Sequence, residues 1–115
     1  QNFLKGMKPS TRQRFVSLRF DFPGSALEQE IIRGETGADE MLSKRLVNLA
    51  NSLRALKEHD LEEAASTRLI VYAATLIRSG FDPVEACRAA MVETLTDDEE
   101  TAEALMEIIY AAFGR

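Results

Sequence analysis

The spacing of apolar positions changes once along this chain. Over residues 16–22, Val16, Leu18, Phe20 and Phe22 alternate with Ser17, Arg19 and Asp21. A period of two is that of a strand, and Pro23-Gly24 ends it. Ahead of it, Lys8-Pro9-Ser10-Thr11-Arg12-Gln13-Arg14-Phe15 reads as a turn and a short helix. After Gly24 every apolar pattern has the helical period. Ser25-Ala26-Leu27-Glu28 has the form of a capping box and opens a first helix carrying Leu27, Ile31 and Ile32, which stops near Gly34 or Gly37. A second helix starts near Asp39 with the stripe Leu42, Leu46, Leu49, Leu53 and Leu56. A third starts at Ser66, with Leu69, Tyr72, Ala73, Leu76 and Ile77 facing inward and Gly80 closing it. Asp82-Pro83-Val84-Glu85 opens a fourth, with proline in the first turn. Thr96-Asp97-Asp98-Glu99 opens a fifth, whose stripe is Leu105, Ile109, Ala112 and Phe113.

The pattern predicts one strand and no second strand to pair with it. A lone strand leaves backbone amides and carbonyls without partners. Two readings resolve this. Either residues 1–23 belong to a sheet whose other strands are not in this sequence, which we favour, or the strand pairs with a copy of itself in a dimer.

Composition narrows the class. The chain has 115 residues, 45% of them hydrophobic and 29% charged, enough for a core in one soluble domain or a domain with a fragment of another. No apolar run approaches the ~18 residues of a membrane span. The N-terminus lacks the apolar segment of a secretory signal, and the absence of an initial Met is expected of a processed or trimmed piece. Cys87 is the one cysteine, which fits a reducing compartment, the cytoplasm, and a small buried side chain. The net charge of −5 argues against general nucleic-acid binding. It is unevenly spread. Residues 1–20 hold Lys5, Lys8, Arg12, Arg14 and Arg19 without an acid, as expected for a local anionic partner. Residues 93–107 hold seven acids without a base, read as a solvated helix start.

Catalytic constellations are hard to find. His59 is the only histidine, set among Glu58, Asp60 and Glu62, and reads as an exposed residue near a helix end. With one distant cysteine it makes no zinc site, so no metal ligand is assigned. The acids at 97–100 lack the spacing of a calcium loop. Ser10 and Ser66 have no nearby base. The sequence contains no G-x-x-x-x-G-K-[ST] phosphate loop. Two arginines stand out. Arg14 ends the short helix before the strand. Arg68 lies in the first turn of the third helix, after Ser66-Thr67, where the positive end of the macrodipole gives a cation no local benefit. An arginine there is neutral surface or is aimed at an anion.

The segment Lys8-Pro9-Ser10-Thr11-Arg12-Gln13-Arg14-Phe15, followed by a strand ending Phe20-Asp21-Phe22-Pro23, resembles the end of the ATPase core in the NorQ/CbbQ group of the MoxR branch of AAA+ proteins. Ala65-Ser66-Thr67-Arg68-Leu69-Ile70-Val71-Tyr72-Ala73-Ala74 resembles that group's C-terminal lid. So do Gly80, Pro83, Ala86-Cys87-Arg88-Ala89-Ala90 and Leu95-Thr96-Asp97-Asp98. The likeness runs nearly end to end, in the expected order.

The resemblance implies a mainly α fold: a helical-bundle lid over 24–115, preceded over 1–23 by the last short helix and last strand of an α/β core. It implies a ring, usually of six subunits, with ATP and Mg²⁺ held in the full-length protein and none expected for this piece. By position Arg14 resembles the arginine finger, with Arg12 the runner-up or a structural ion-pair partner. Arg68 resembles the sensor-2 arginine that contacts ATP phosphates. The phosphate loop, the Mg²⁺-holding acids and the sensor-1 asparagine of the group would lie upstream of Gln1, so this piece alone is expected not to hydrolyse ATP. Members of the group activate a client enzyme, nitric oxide reductase or Rubisco, the former working with a von Willebrand A-domain partner. The nitric oxide reductase type is placed first. The competing reading is a stand-alone helical interaction module without catalysis, which would bind a partner through an apolar groove.

Overall fold

A computed structural model describes residues 22–95 and 97–114. The expected short helix and the strand over 16–22, apart from Phe22, lie outside the described residues. Those described form six α-helices and a π-helical turn, with no strand among them. They are α1 (Ser25–Thr36), α2 (Glu40–Ala55), α3 (His59–Ala64), α4 (Thr67–Arg78), α5 (Pro83–Cys87) and α6 (Glu99–Phe113), with the π turn (Arg88–Val92) between α5 and α6.

Most helix starts follow local chemistry. Asp39 Oδ1 accepts the Leu42 amide at 2.8 Å, Ser66 Oγ that of Leu69 at 3.3 Å, and Asp82 Oδ2 that of Val84 at 3.1 Å. Asp98 Oδ2 caps α6 through the Thr101 amide at 2.9 Å, two residues past the expected Thr96. Each satisfies an amide that a helix start leaves unpaired. Gly37 closes α1 in the left-handed region at φ 77°, its amide bonding Arg33 O, a conformation that a Cβ would strain.

Three local expectations are corrected. The capping box at Ser25 does not form: Gly24 is the cap residue and no side chain caps α1. Ser25 Oγ instead accepts from Asn51 Nδ2 at 3.1 Å, and Glu28 turns into the core. Leu27, Leu56 and Tyr72, expected in apolar stripes, are exposed. The inward face of α1 runs through Glu28 and Ile32, one helical turn apart, which rotates Leu27 outward. Leu56 lies past the last turn of α2, and Tyr72 flanks the inward face of α4 made by Leu69, Ile70, Ala73 and Ala74. The third correction is α3, a six-residue helix that the pattern missed because it is too short to show a period.

Helix α4 is the centre of the bundle, packing on α1, α2, α5 and the π turn, while α6 covers α2, α5 and the π turn. The core joins Ile32, Leu46, Leu49, Leu53, Ile70, Met91, Leu105 and Ile109. Each such side chain contributes on the order of 1.5–3 kcal/mol by leaving water. In the π turn the Glu93 amide reaches back to Arg88 O at 3.0 Å, and the wider turn buries three successive residues, Ala90, Met91 and Val92.

Candidate functional site

Three consecutive residues at the start of α4 take three different roles. Ser66 is buried and caps the helix. Thr67 turns inward, its hydroxyl donating to Glu28 Oε2 at 2.8 Å. Arg68 turns outward and is exposed. It lines an open groove of about 360 Å³ with Leu69, Val71, Tyr72 and Thr94. A guanidinium beside the amide-rich end of a helix makes a locally positive surface, suited to an anion. Arg68 thus stands where an anion outside the bundle could meet it.

Behind that surface lies a buried polar knot. The Glu28 carboxylate is fully buried, and the Arg54 side chain is 9% exposed. Arg54 Nη1 and Nη2 donate to Glu28 Oε1 and Oε2 at 2.8 and 2.7 Å, a bidentate pair. Arg54 Nε and Nη2 also donate to Ala65 O, at 3.2 and 2.7 Å. The guanidinium carbon sits 3.8 Å from the centroid of the Phe22 ring, within cation–π range. One arginine therefore joins α1, the end of α2, the α3–α4 junction and the segment leading into α1.

Sequence reasoning missed this knot. It read Glu28 as a cap and passed over Arg54. The signal was present: Glu28 is one turn before buried Ile32, and Arg54 is four residues after buried Ala50 and seven after buried Val47. Opposite charges at core-facing positions of two helices are the trace of a buried pair.

The other candidates separate clearly. Arg14 and Arg12 lie outside the described residues. Cys87 is buried, and loss of water pushes its thiol up to about 12, so it stays protonated as packing material. His59 is exposed as expected, though at the start of α3, with Nε2 3.7 Å from Glu63 Oε1. His59, Asp60 and Glu63 bring their ligand atoms within 4.8 Å of one another on the open surface. The acids of α6 are solvated, and Glu99, Glu103, Met106 and Tyr110 line a broad groove of about 630 Å³ with Arg88 and Val92. No helix among the described residues is long and apolar enough to cross a membrane.

The all-helical bundle of the described residues has the form of a C-terminal AAA+ lid. The family model described as CbbQ/NirQ/NorQ C-terminal matches residues 28–112, and the chain belongs to that family. It is 59% identical over 109 residues to the denitrification regulatory protein NirQ of Pseudomonas aeruginosa, covering 95% of this chain and 42% of the relative. It is 53% identical over 114 residues to protein NorQ of Paracoccus denitrificans, covering 99% of this chain and 42% of the relative. Against protein CbbQ of Hydrogenophilus thermoluteolus the identity is 44% over 114 residues, covering 99% and 43%. The chain spans less than half the length of these relatives.

Proposed function

We propose that this chain is the lid region of a ring-forming MoxR-type AAA+ ATPase that activates a client enzyme. The observation that carries this is the family match over residues 28–112 combined with the outward placement of Arg68 at the start of α4. ATP and Mg²⁺ would be held by a nucleotide-binding core, since the sequence has no phosphate loop of its own. In a ring, most simply of six subunits, ATP lies between neighbours. Arg14 acts as the arginine finger, reaching the γ-phosphate bound to the adjacent subunit and stabilising the charge that develops on the transferring phosphoryl group. Its forked guanidinium matches phosphate oxygens in a way lysine cannot. Arg68 reaches the phosphates from the lid, so its contact links nucleotide state to lid angle.

Identities of 59% to NirQ and 53% to NorQ, against 44% to CbbQ, support nitric oxide reductase over Rubisco as the client. A von Willebrand A-domain protein is the expected partner, and the cytoplasm the expected location.

The test uses a protein that joins this chain to its nucleotide-binding core. Arg14→Ala is expected to lower kcat by about 10³–10⁵ while nucleotide binding is retained. Normal turnover in that variant rules out the finger assignment, and loss of turnover only in Arg12→Ala transfers it to Arg12. Arg68→Ala is expected to weaken nucleotide binding. A ring that binds and hydrolyses ATP normally without Arg68 removes the sensor role.

A further inference from the structure

We propose that Arg54, Glu28 and Thr67 form a positioning unit for Arg68, and that Phe22 couples this unit to the chain segment leading into the lid. This rests on the reading of Arg68 given above.

The knot is more elaborate than cohesion requires. A buried ion pair is a weak source of stability, because desolvation offsets most of the attraction, and apolar side chains of similar volume often serve as well. What the pair supplies is direction. Glu28 is held by both Nη atoms of Arg54, and its Oε2 also takes the hydroxyl proton of Thr67. Arg54 in turn grips the carbonyl of Ala65 with two donors. Ala65 and Thr67 flank the cap residue Ser66, so the chain is pinned on both sides of the cap, immediately before Arg68. The first turn of α4 is thereby fixed in angle and height relative to α1 and α2. A cation that must meet a phosphate needs such a base, since a shift of about 1 Å in a positioned group costs on the order of 10²-fold in rate.

The other end of the unit is Phe22. Its ring lies over the Arg54 guanidinium, and only Pro23 and Gly24 separate it from α1. A change in the path of the chain at Phe22 is therefore felt at Arg54, then at Ala65 and Glu28, then at the start of α4. The route is short and consists of named contacts, in which Arg54 is shared by every branch.

The experiment uses the protein with its nucleotide-binding core and three substitutions outside the ion pair: Thr67→Val, Thr67→Ser and Phe22→Leu. Thr67→Val keeps the side-chain shape and removes the bond to Glu28. It is expected to weaken ATP binding about 5- to 10-fold, within the range of one ordinary intramolecular hydrogen bond. In the Arg68→Ala background the same substitution should have no further effect on ATP binding, while lowering the thermal midpoint equally in both backgrounds. Thr67→Ser should restore binding. Phe22→Leu should show the same dependence on Arg68 with a smaller amplitude.

A Thr67→Val protein with a lowered thermal midpoint and unchanged ATP affinity overturns the positioning role, as does an effect that adds fully to that of Arg68→Ala. Phe22→Leu without any effect on ATP affinity overturns the coupling to the lid's leading segment. If Arg68→Ala itself leaves ATP affinity unchanged, the sensor reading fails and this proposal falls with it. That outcome is distinct from Arg68→Ala weakening binding while Thr67→Val does not, which removes the positioning unit alone.

Discussion

The two halves of the bundle are held together by different physics. Where α1, the end of α2 and the start of α4 meet, the interior is a charged pair with directed hydrogen bonds, capped by an aromatic ring. Where α5, the π turn and α6 meet, the interior is Cys87, Ala90, Met91, Leu105 and Ile109, without a buried charge among the described residues. Apolar packing fixes how much volume is filled and leaves side chains to find their own rotamers. A bidentate ion pair fixes which atoms face which. The directed half is the one that carries Arg68, and the apolar half presents the solvated acids of α6. Precision is concentrated where a phosphate contact would need it.

The largest effect that tests this contrast is Glu28→Ala. It leaves Arg54 charged and buried without its partner, and the loss of folding free energy is expected to be about 3–5 kcal/mol in denaturant titration. Replacing both partners, Glu28→Leu with Arg54→Met, should cost far less than either single removal. If the double replacement costs the sum of the two single losses, Glu28 and Arg54 are not coupled as a pair and the contrast with the apolar half disappears.

On the other side, Leu105→Ala opens a cavity between α6 and the core and is expected to cost about 2–5 kcal/mol. That loss should be independent of any change at Glu28, because among the described residues no hydrogen bond joins the two clusters. Coupling between them in a double-mutant cycle would merge the two halves into one network.

A smaller effect sharpens the boundary. Ser66→Ala removes the cap of α4 and is expected to cost about 1 kcal/mol. Since Ala65 and Thr67 remain pinned, amide exchange at Leu69 should rise while that of Ala73 stays protected. Loss of protection along the whole of α4 would mean that the cap, and not the knot, holds the helix start.

The smallest effect concerns the acidic half. Bonds from the Thr101 hydroxyl and amide hold the Asp98 carboxyl below its usual range. A folded value below the unfolded one contributes stability above the unfolded value and loses it as pH falls through the lowered folded one. The thermal midpoint of Asp98→Ala should therefore lie below that of the parent at neutral pH and converge with it in acid. A gap that persists at low pH would assign the cap to something other than the carboxylate.

Much of this architecture was legible in the chain. The stripe from Leu42 to Leu53, the cap residues Asp39, Ser66 and Asp82, the proline start at Pro83 and the stop near Gly34 or Gly37 are local features, and a local feature writes its own signature. Arg68 could also be singled out, because a cation in a first helical turn is out of place. The Ser25 box was misread because one serine and one glutamate three residues apart satisfy the pattern equally well when the glutamate turns inward. Helix α3 was too short to carry a period, and Arg88-Ala89-Ala90-Met91-Val92 carries no signature of a π turn.

The sequence by itself determined five of the six helices, the caps at Asp39, Ser66 and Asp82, the family and the position of its conspicuous arginine, because each depends on residues close together in the chain. Only the tertiary structure decided that Glu28 belongs to Arg54 and Thr67 rather than to its own helix start. Those partners lie 26 and 39 residues away, and no periodicity records a contact between distant helices. It likewise decided that the first turn of α4 is gripped from behind, which turns an exposed arginine into a supported one.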